Sequence, residues 1–117
     1  MYKITRIYTN GNGDSCFEDT VVPLHDSGII GFLSDEFPVK GMILREVNPS
    51  YNYDFHNAPQ RQYIILLDGE IEIETSAGEK RQFQGGDILL AEDTTGKGHR
   101  TRNIIPSKRK SIFITLP

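Results

Sequence analysis

The stretch IILLDGEIEIETSAGEKRQFQGGDILLAED, residues 64–93, decides the architecture of the chain. Asp68-Gly69 separates two apolar-rich runs, and Asp-Gly tolerates the positive φ that a tight hairpin turn demands. After the turn, Glu70, Glu72 and Glu74 alternate with Ile71 and Ile73, which gives that strand one wet face and one buried face. A second turn falls at Ser76-Ala77-Gly78. Gly85-Gly86 then permits a tight bend before Ile88-Leu89-Leu90-Ala91.

The same grammar extends in both directions. Apolar residues recur at spacing two or in short runs, which predicts strands over Tyr2–Tyr8, Gly41–Val47, Gln62–Leu67, Glu70–Thr75, Lys80–Phe83, Asp87–Ala91, His99–Ile104 and Ser111–Leu116. Turn formers punctuate them at Asn10–Gly13, Asn48-Pro49-Ser50 and Ile105-Pro106-Ser107. The one helical start, Ser34–Phe37, is cut short by Pro38. Many short strands with regular turns predict an all-β sandwich or barrel. Residues 9–40 carry the weakest pattern; Ile29–Leu33, broken by Gly31, reads as a further strand or an arm.

A chain of 117 residues suits one domain, 1–117, with one real core. The net charge is −3, and Lys108-Arg109-Lys110 is the only basic cluster. It reads as a solvated loop ahead of the last strand, so nucleic acid is not an expected partner. Cys16 is the sole cysteine and has no internal disulfide partner. MYKITRIYTN has no apolar signal region, and no run approaches the ~20 apolar residues of a membrane span. The expectation is a soluble cytoplasmic protein without a membrane partner.

The order strand, Asp-Gly turn, strand, Gly-Asp, strand, loop, histidine resembles the cupin superfamily, over residues 41–116. The first cupin motif, G-x5-H-x-H-x3-E-x6-G, is matched at His56 and Gly69, with Ser50, Ala58 and Gln62 at its other positions. The second, G-x5-P-x-G-x2-H-x3-N, is matched at Gly86, His99 and Asn103, with a longer loop over residues 93–98 and no proline. The resemblance implies a jelly-roll barrel (a double-stranded β-helix) of two facing sheets, with its pocket at the barrel mouth. It also implies a homodimer, built through edge strands near the N-terminus. Residues 1–40 would supply N-terminal strands or an arm, and 41–116 the barrel. Metal-binding cupins use three ligands from the first motif and the histidine of the second. Here that set reduces to His56, Gln62 and His99, with iron, nickel, manganese or zinc as the implied divalent ions. Asp54, Glu92 or Asp93 would have to supply negative charge.

Strand parity leads to the same place. Residues two apart share a face, so Asp54, His56 and Ala58 would point one way. Gln62, Ile64 and Leu66 would point together, as would His99, Thr101 and Asn103, leaving Arg100 and Arg102 outside. His56, Gln62 and His99 then converge inside the barrel, with Asn103 on the same face as His99; Tyr53 is a further pocket candidate at its rim. Tyr51, Tyr53 and Phe55 rim the pocket or pack outside it. Arg45, Arg61, Arg100 and Arg102 either pair with acidic faces or attract a carboxylate ligand.

Three functions remain open from sequence. One is a small-molecule-binding cupin, enzyme or binder, with its ligand site inside the barrel around His56, Gln62 and His99, the same residues that are the candidate metal ligands. A second is a metal-independent, sugar-type epimerase or isomerase in which His56 and His99 are catalytic acid/bases, oriented by Asp54 and Asp93. The third is a non-catalytic sensor or binding module. No Walker loop and no Gly-x-Ser-x-Gly elbow is present.

Overall fold

The computed structural model describes residues 1–117. Twelve strands form: β1 (Tyr2–Thr9), β2 (Ser15–Val22), β3 (His25–Asp26), β4 (Phe32–Leu33), β5 (Gly41–Val47) and β6 (Asn52–His56), then β7 (Gln62–Leu66), β8 (Glu70–Thr75), β9 (Lys80–Gln84), β10 (Ile88–Ala91), β11 (His99–Asn103) and β12 (Arg109–Thr115). From β5 onward the chain crosses between two sheets at every connection except the β8–β9 hairpin. One runs β10-β7-β12-β5 and the other β6-β11-β8-β9. That order is the double Greek key of a jelly roll, so the fold is a cupin-type barrel of two facing sheets. β1 and β2 extend the first sheet beyond β10, β1 lying parallel to β10 and antiparallel to β2.

The strands read from residues 64–93 appear within a residue of their expected ends. Ile71 and Ile73 of β8 face inward and are buried, while Glu72 and Glu74 face outward and pair with Arg102 and Arg100 of β11. The two sheets close on one apolar cluster of Ile7, Phe17, Leu66, Ile71, Ile73, Phe83 and Leu89. Burying each such side chain contributes about 1.5–3 kcal/mol.

Four findings depart from the sequence reading. β2 is a full strand although its sequence SCFEDTVV does not alternate cleanly; only Ser15, Phe17 and Val22 are buried. Ile29–Leu33 is split between a 3₁₀ turn at Gly28–Ile30 and β4, which pairs with β3 as a minimal hairpin. No helix forms at Ser34–Phe37. That segment leads extended toward β5, with Phe37 packing on Tyr63 (ring centroids 6.0 Å apart) and the Lys40 amide donating to the Thr115 carbonyl. Finally, Lys108-Arg109-Lys110 is not a solvated loop. Arg109 opens β12 and is 1% exposed, because strand alternation places it on the inward face with Ser111 and Phe113.

Candidate functional site

The site begins with an irregularity between β6 and β11. His56 pairs with His99, but Tyr53, not Asp54, pairs with Thr101. Three steps along β6 match two along β11, which is a β-bulge. The extra residue changes the phase of side-chain alternation. Tyr53 and His56 therefore share the inward face, and their rings stack at 3.6 Å between centroids. Simple alternation would have placed Asp54 beside His56. Instead the Asp54 side chain is exposed and accepts the Phe55 amide at 2.8 Å. His56 Nδ1 lies 2.7 Å from the Asp54 backbone carbonyl, so Nδ1 carries the proton and Nε2 is the free acceptor. Burial pushes the His56 imidazole below the ordinary histidine range, with the neighbouring His99 adding to the effect. His56 is thus held neutral. The two histidine rings stand 4.7 Å apart.

His99 has a carboxylate behind it. Its Nδ1 lies 2.5 Å from Asp93 Oδ2, and the same oxygen accepts the Ser15 hydroxyl at 2.6 Å. Asp93 is fully buried and its Oδ1 has no partner. The expected His99–Asp93 pairing therefore forms through the carboxylate, whereas the His56–Asp54 pairing forms through the backbone. The loop carrying Asp93 is pinned to the β1–β2 turn by the Lys97 amide, which donates to the Gly13 carbonyl at 2.8 Å. Gly98 has φ +80°, and a Cβ there would run into the His56 carbonyl oxygen. Nothing in the sequence marks Ser15, since a serine at the start of a strand without clean alternation belongs to no motif.

Both rings border a cavity of about 230 Å³ between the sheets. Its walls are mainly apolar, including Ile7, Ile64, Ile71, Ile73, Leu89 and Phe113. Gln62 and Thr101, both buried, join the two histidines as its inner polar groups. His56, Gln62 and His99 therefore converge, as strand parity predicts. Tyr51 and Tyr53 also line the cavity, but Phe55 lies on the outside under the Arg100 guanidinium. Asn103 does not line it. Its amide nitrogen is within 3.3 Å of the Asn48 and Pro49 carbonyls, and its Oδ1 accepts Arg109 Nε at 2.9 Å. Asn103 therefore lies outside the pocket expected for it, because the end of β11 lies beyond the chamber and against the 48–51 turn. Arg61, Arg100 and Arg102 are ion-paired to Glu92, Glu74 and Glu72. Arg45 has no such pair and lines the cavity.

The donor set does not fit a resident divalent ion. Two imidazoles and one neutral amide converge, and no third His, Cys, Asp or Glu joins them. The buried carboxylate of Asp93 is spent on the back of the His99 ring. Iron, nickel, manganese or zinc would lack the anionic ligand that compensates their charge in comparable sites.

Fold and cavity together define a small cupin-type β-barrel with a partly open chamber between its sheets. No family model and no curated protein matches the sequence. Among solved structures the chain is similar to protein NMB1881 from Neisseria meningitidis, with TM-score 0.52 and 12% identity over 97% of this chain and 82% of that one. It is similar also to the Drosophila melanogaster CENP-C cupin domain, with TM-score 0.48 and 16% identity over 80% of this chain and 73% of that one. A third is the SPY1581 protein of Streptococcus pyogenes, with TM-score 0.47 and 10% identity over 97% and 81%. At these identities the likeness concerns fold alone.

Proposed function

We propose that the barrel takes up a small organic molecule and that His99, oriented by Asp93, exchanges a proton with it. The observation that carries this reading is the buried Asp93 Oδ2 to His99 Nδ1 contact of 2.5 Å directly behind the cavity wall. A carboxylate on Nδ1 fixes the ring and its tautomer, which leaves Nε2 as the nitrogen that meets a ligand. The Ser15 hydroxyl holds the same carboxylate oxygen and keeps Asp93 from turning away. Beside His99 on the neighbouring strand, neutral His56 offers a second Nε2, and its ring is stacked on Tyr53. Gln62 can meet either a donor or an acceptor. The walls around these groups are mainly apolar, which lowers the local dielectric and makes each polar contact count for more.

Hydrogen–deuterium exchange at an acidic C–H tests the proposal across a whole class of candidate substrates at once. A panel of small carbonyl compounds is incubated with the protein in D₂O and followed by proton NMR. The expected result is exchange of at least one compound, falling ~100–10,000-fold in His99→Gln, the range general acid/base groups supply. Asp93→Asn is expected to lower the rate while leaving binding of that compound intact. Compounds that bind in the chamber with no exchange above background would overturn the catalytic role and leave a binding module.

A further inference from the structure

Five of the seven arginines are held by carboxylates: Arg6, Arg61, Arg81, Arg100 and Arg102. The two exceptions are neighbours. Arg45 of β5 and Arg109 of β12 both lie on the inward face of their sheet, Arg45 opposite Ser111 and Arg109 two residues before it. Neither forms an ion pair. Arg45 Nε donates to the Ser111 hydroxyl at 2.9 Å, and its guanidinium stands 4.5 Å over the Phe113 ring. Arg109 Nε donates to Asn103 Oδ1, but both of its terminal nitrogens are buried with no hydrogen-bond partner. Both guanidinium groups reach the same aromatic ring, Tyr51, at 5.5 and 5.3 Å from its centroid. Tyr51, Arg45 and Phe113 all line the chamber.

Two uncompensated positive charges side by side are costly, and a buried guanidinium with idle donors is more so. Burial and the nearby Arg45 both weaken the hold of Arg109 on its proton, and Tyr51 and Asp68 compensate only in part. In a chain of net charge −3 whose other arginines are paired, this concentration calls for an anion. From it we infer that the chamber is built for a small organic carboxylate, whose charged end is held by Arg45 and, once the Tyr51 ring turns aside, by the terminal nitrogens of Arg109. A guanidinium fork matches a carboxylate two bonds at a time. The rest of such a ligand lies along the apolar walls toward His56 and His99. The chamber is smaller than the roughly 300–1,000 Å³ of drug-sized sites, which limits the ligand to a short acid. This inference rests on the reading of the chamber as a ligand site and names the class of molecule it takes.

The test compares each of two carboxylates with its neutral isostere: benzoate with benzamide, and butyrate with butyramide. Binding is followed by NMR titration of the labelled protein at low ionic strength. At least one acid is expected to bind tenfold or more tightly than its amide, with shifts at Tyr51 and Phe113. Arg45→Gln, on a half-exposed side chain, is expected to cost that acid about tenfold, the loss of one charge-assisted contact. Arg109→Met is expected to reduce the preference for acid over amide to the part that Arg45 carries, while leaving the melting temperature of the free protein unchanged or raised, because it removes an unpaired buried charge. If Arg109→Met does not fold, the Arg45→Gln titration decides alone. Equal affinity for acid and amide, or an Arg45→Gln variant as tight as wild type, overturns the inference but leaves the chamber as a ligand site. Failure of all four compounds to shift chamber resonances overturns both.

Discussion

A single imidazole shows how local packing sets the behaviour of this protein with pH. Burial keeps the proton affinity of His56 low in the fold, whereas the unfolded chain takes up that proton near pH 6.5. Below that value the unfolded state binds more protons than the native state, so stability falls as pH falls and the effect ends once the folded imidazole also protonates. Glu92 and Asp19 act lower down. Despite the opposing effect of burial, hydrogen bonds from Arg6 and Arg61 hold Glu92 below the usual carboxylate range, and those from Thr5 and Arg81 do the same for Asp19. Their stabilisation is present above the unfolded carboxylate values and lost as pH drops through the folded ones. His56→Asn is therefore expected to flatten the loss of stability between pH 7 and pH 5 and leave the carboxylate limb below it untouched. Urea midpoints measured across pH 3–8 check this; an unchanged slope above pH 5 in the variant would assign that limb to another group. At this scale the sequence is partly legible. His56, Gln62 and His99 could be brought together from period-two alternation alone. Ser15 and Arg109 could not, since a serine and a basic triplet carry no sign of burial until the strands that bury them are known.

At the scale of elements, the site depends on two departures from regular strand geometry. One is the bulge in β6 that sets Tyr53 beside His56. The other is the approach of the 93–98 loop to the β6 end, where Gly98 sits against the His56 carbonyl. Neither is visible in an apolar/polar pattern, which reports which face a residue takes only while the phase is kept. That is why alternation places Asp54 in the pocket and misses the Tyr53 stack, while the regular hairpins from Ile64 to Ala91 come out nearly residue for residue. Gly98→Ala meets two penalties: a left-handed φ, and a Cβ without room against backbone that has little freedom to move. The expected cost is about 1–3 kcal/mol, together with altered resonances for both His56 and His99. Gly11→Ala is the control. It has open space and no positive φ, and its expected effect is within about 0.5 kcal/mol. A Gly98→Ala midpoint equal to that of Gly11→Ala would show that the loop yields and that the two histidines are not positioned by it.

For the whole molecule, the jelly roll closes its core but leaves apolar surface in two places. β5 is the free edge of the six-stranded sheet, and Met42, Ile43 and Leu44 on it are all exposed. The β3–β4 hairpin exposes Ile29, Ile30, Phe32 and Leu33 separately, at the β1–β2 end of the same sheet. An unpaired edge carrying large apolar side chains is a template for another strand, and proteins cover such edges. No charged residue interrupts Met42-Ile43-Leu44, and the first cation on that strand, Arg45, turns inward to the chamber. A second copy of the chain supplies a matching edge by two-fold symmetry, the commonest way a soluble chain closes an exposed patch. The expected outcome is a homodimer through β5 at micromolar concentration, measured by sedimentation equilibrium. Leu44→Glu, at a position 71% exposed in the single chain, is expected to shift the protein to monomer with little change in intrinsic fold stability. It should also open the β5 side of the chamber to solvent, since Arg45 is its sequence neighbour, and so raise the salt sensitivity of carboxylate binding. A wild-type chain that sediments as a monomer at the highest attainable concentration would refute the dimer and leave the β5 edge as a face for some other partner.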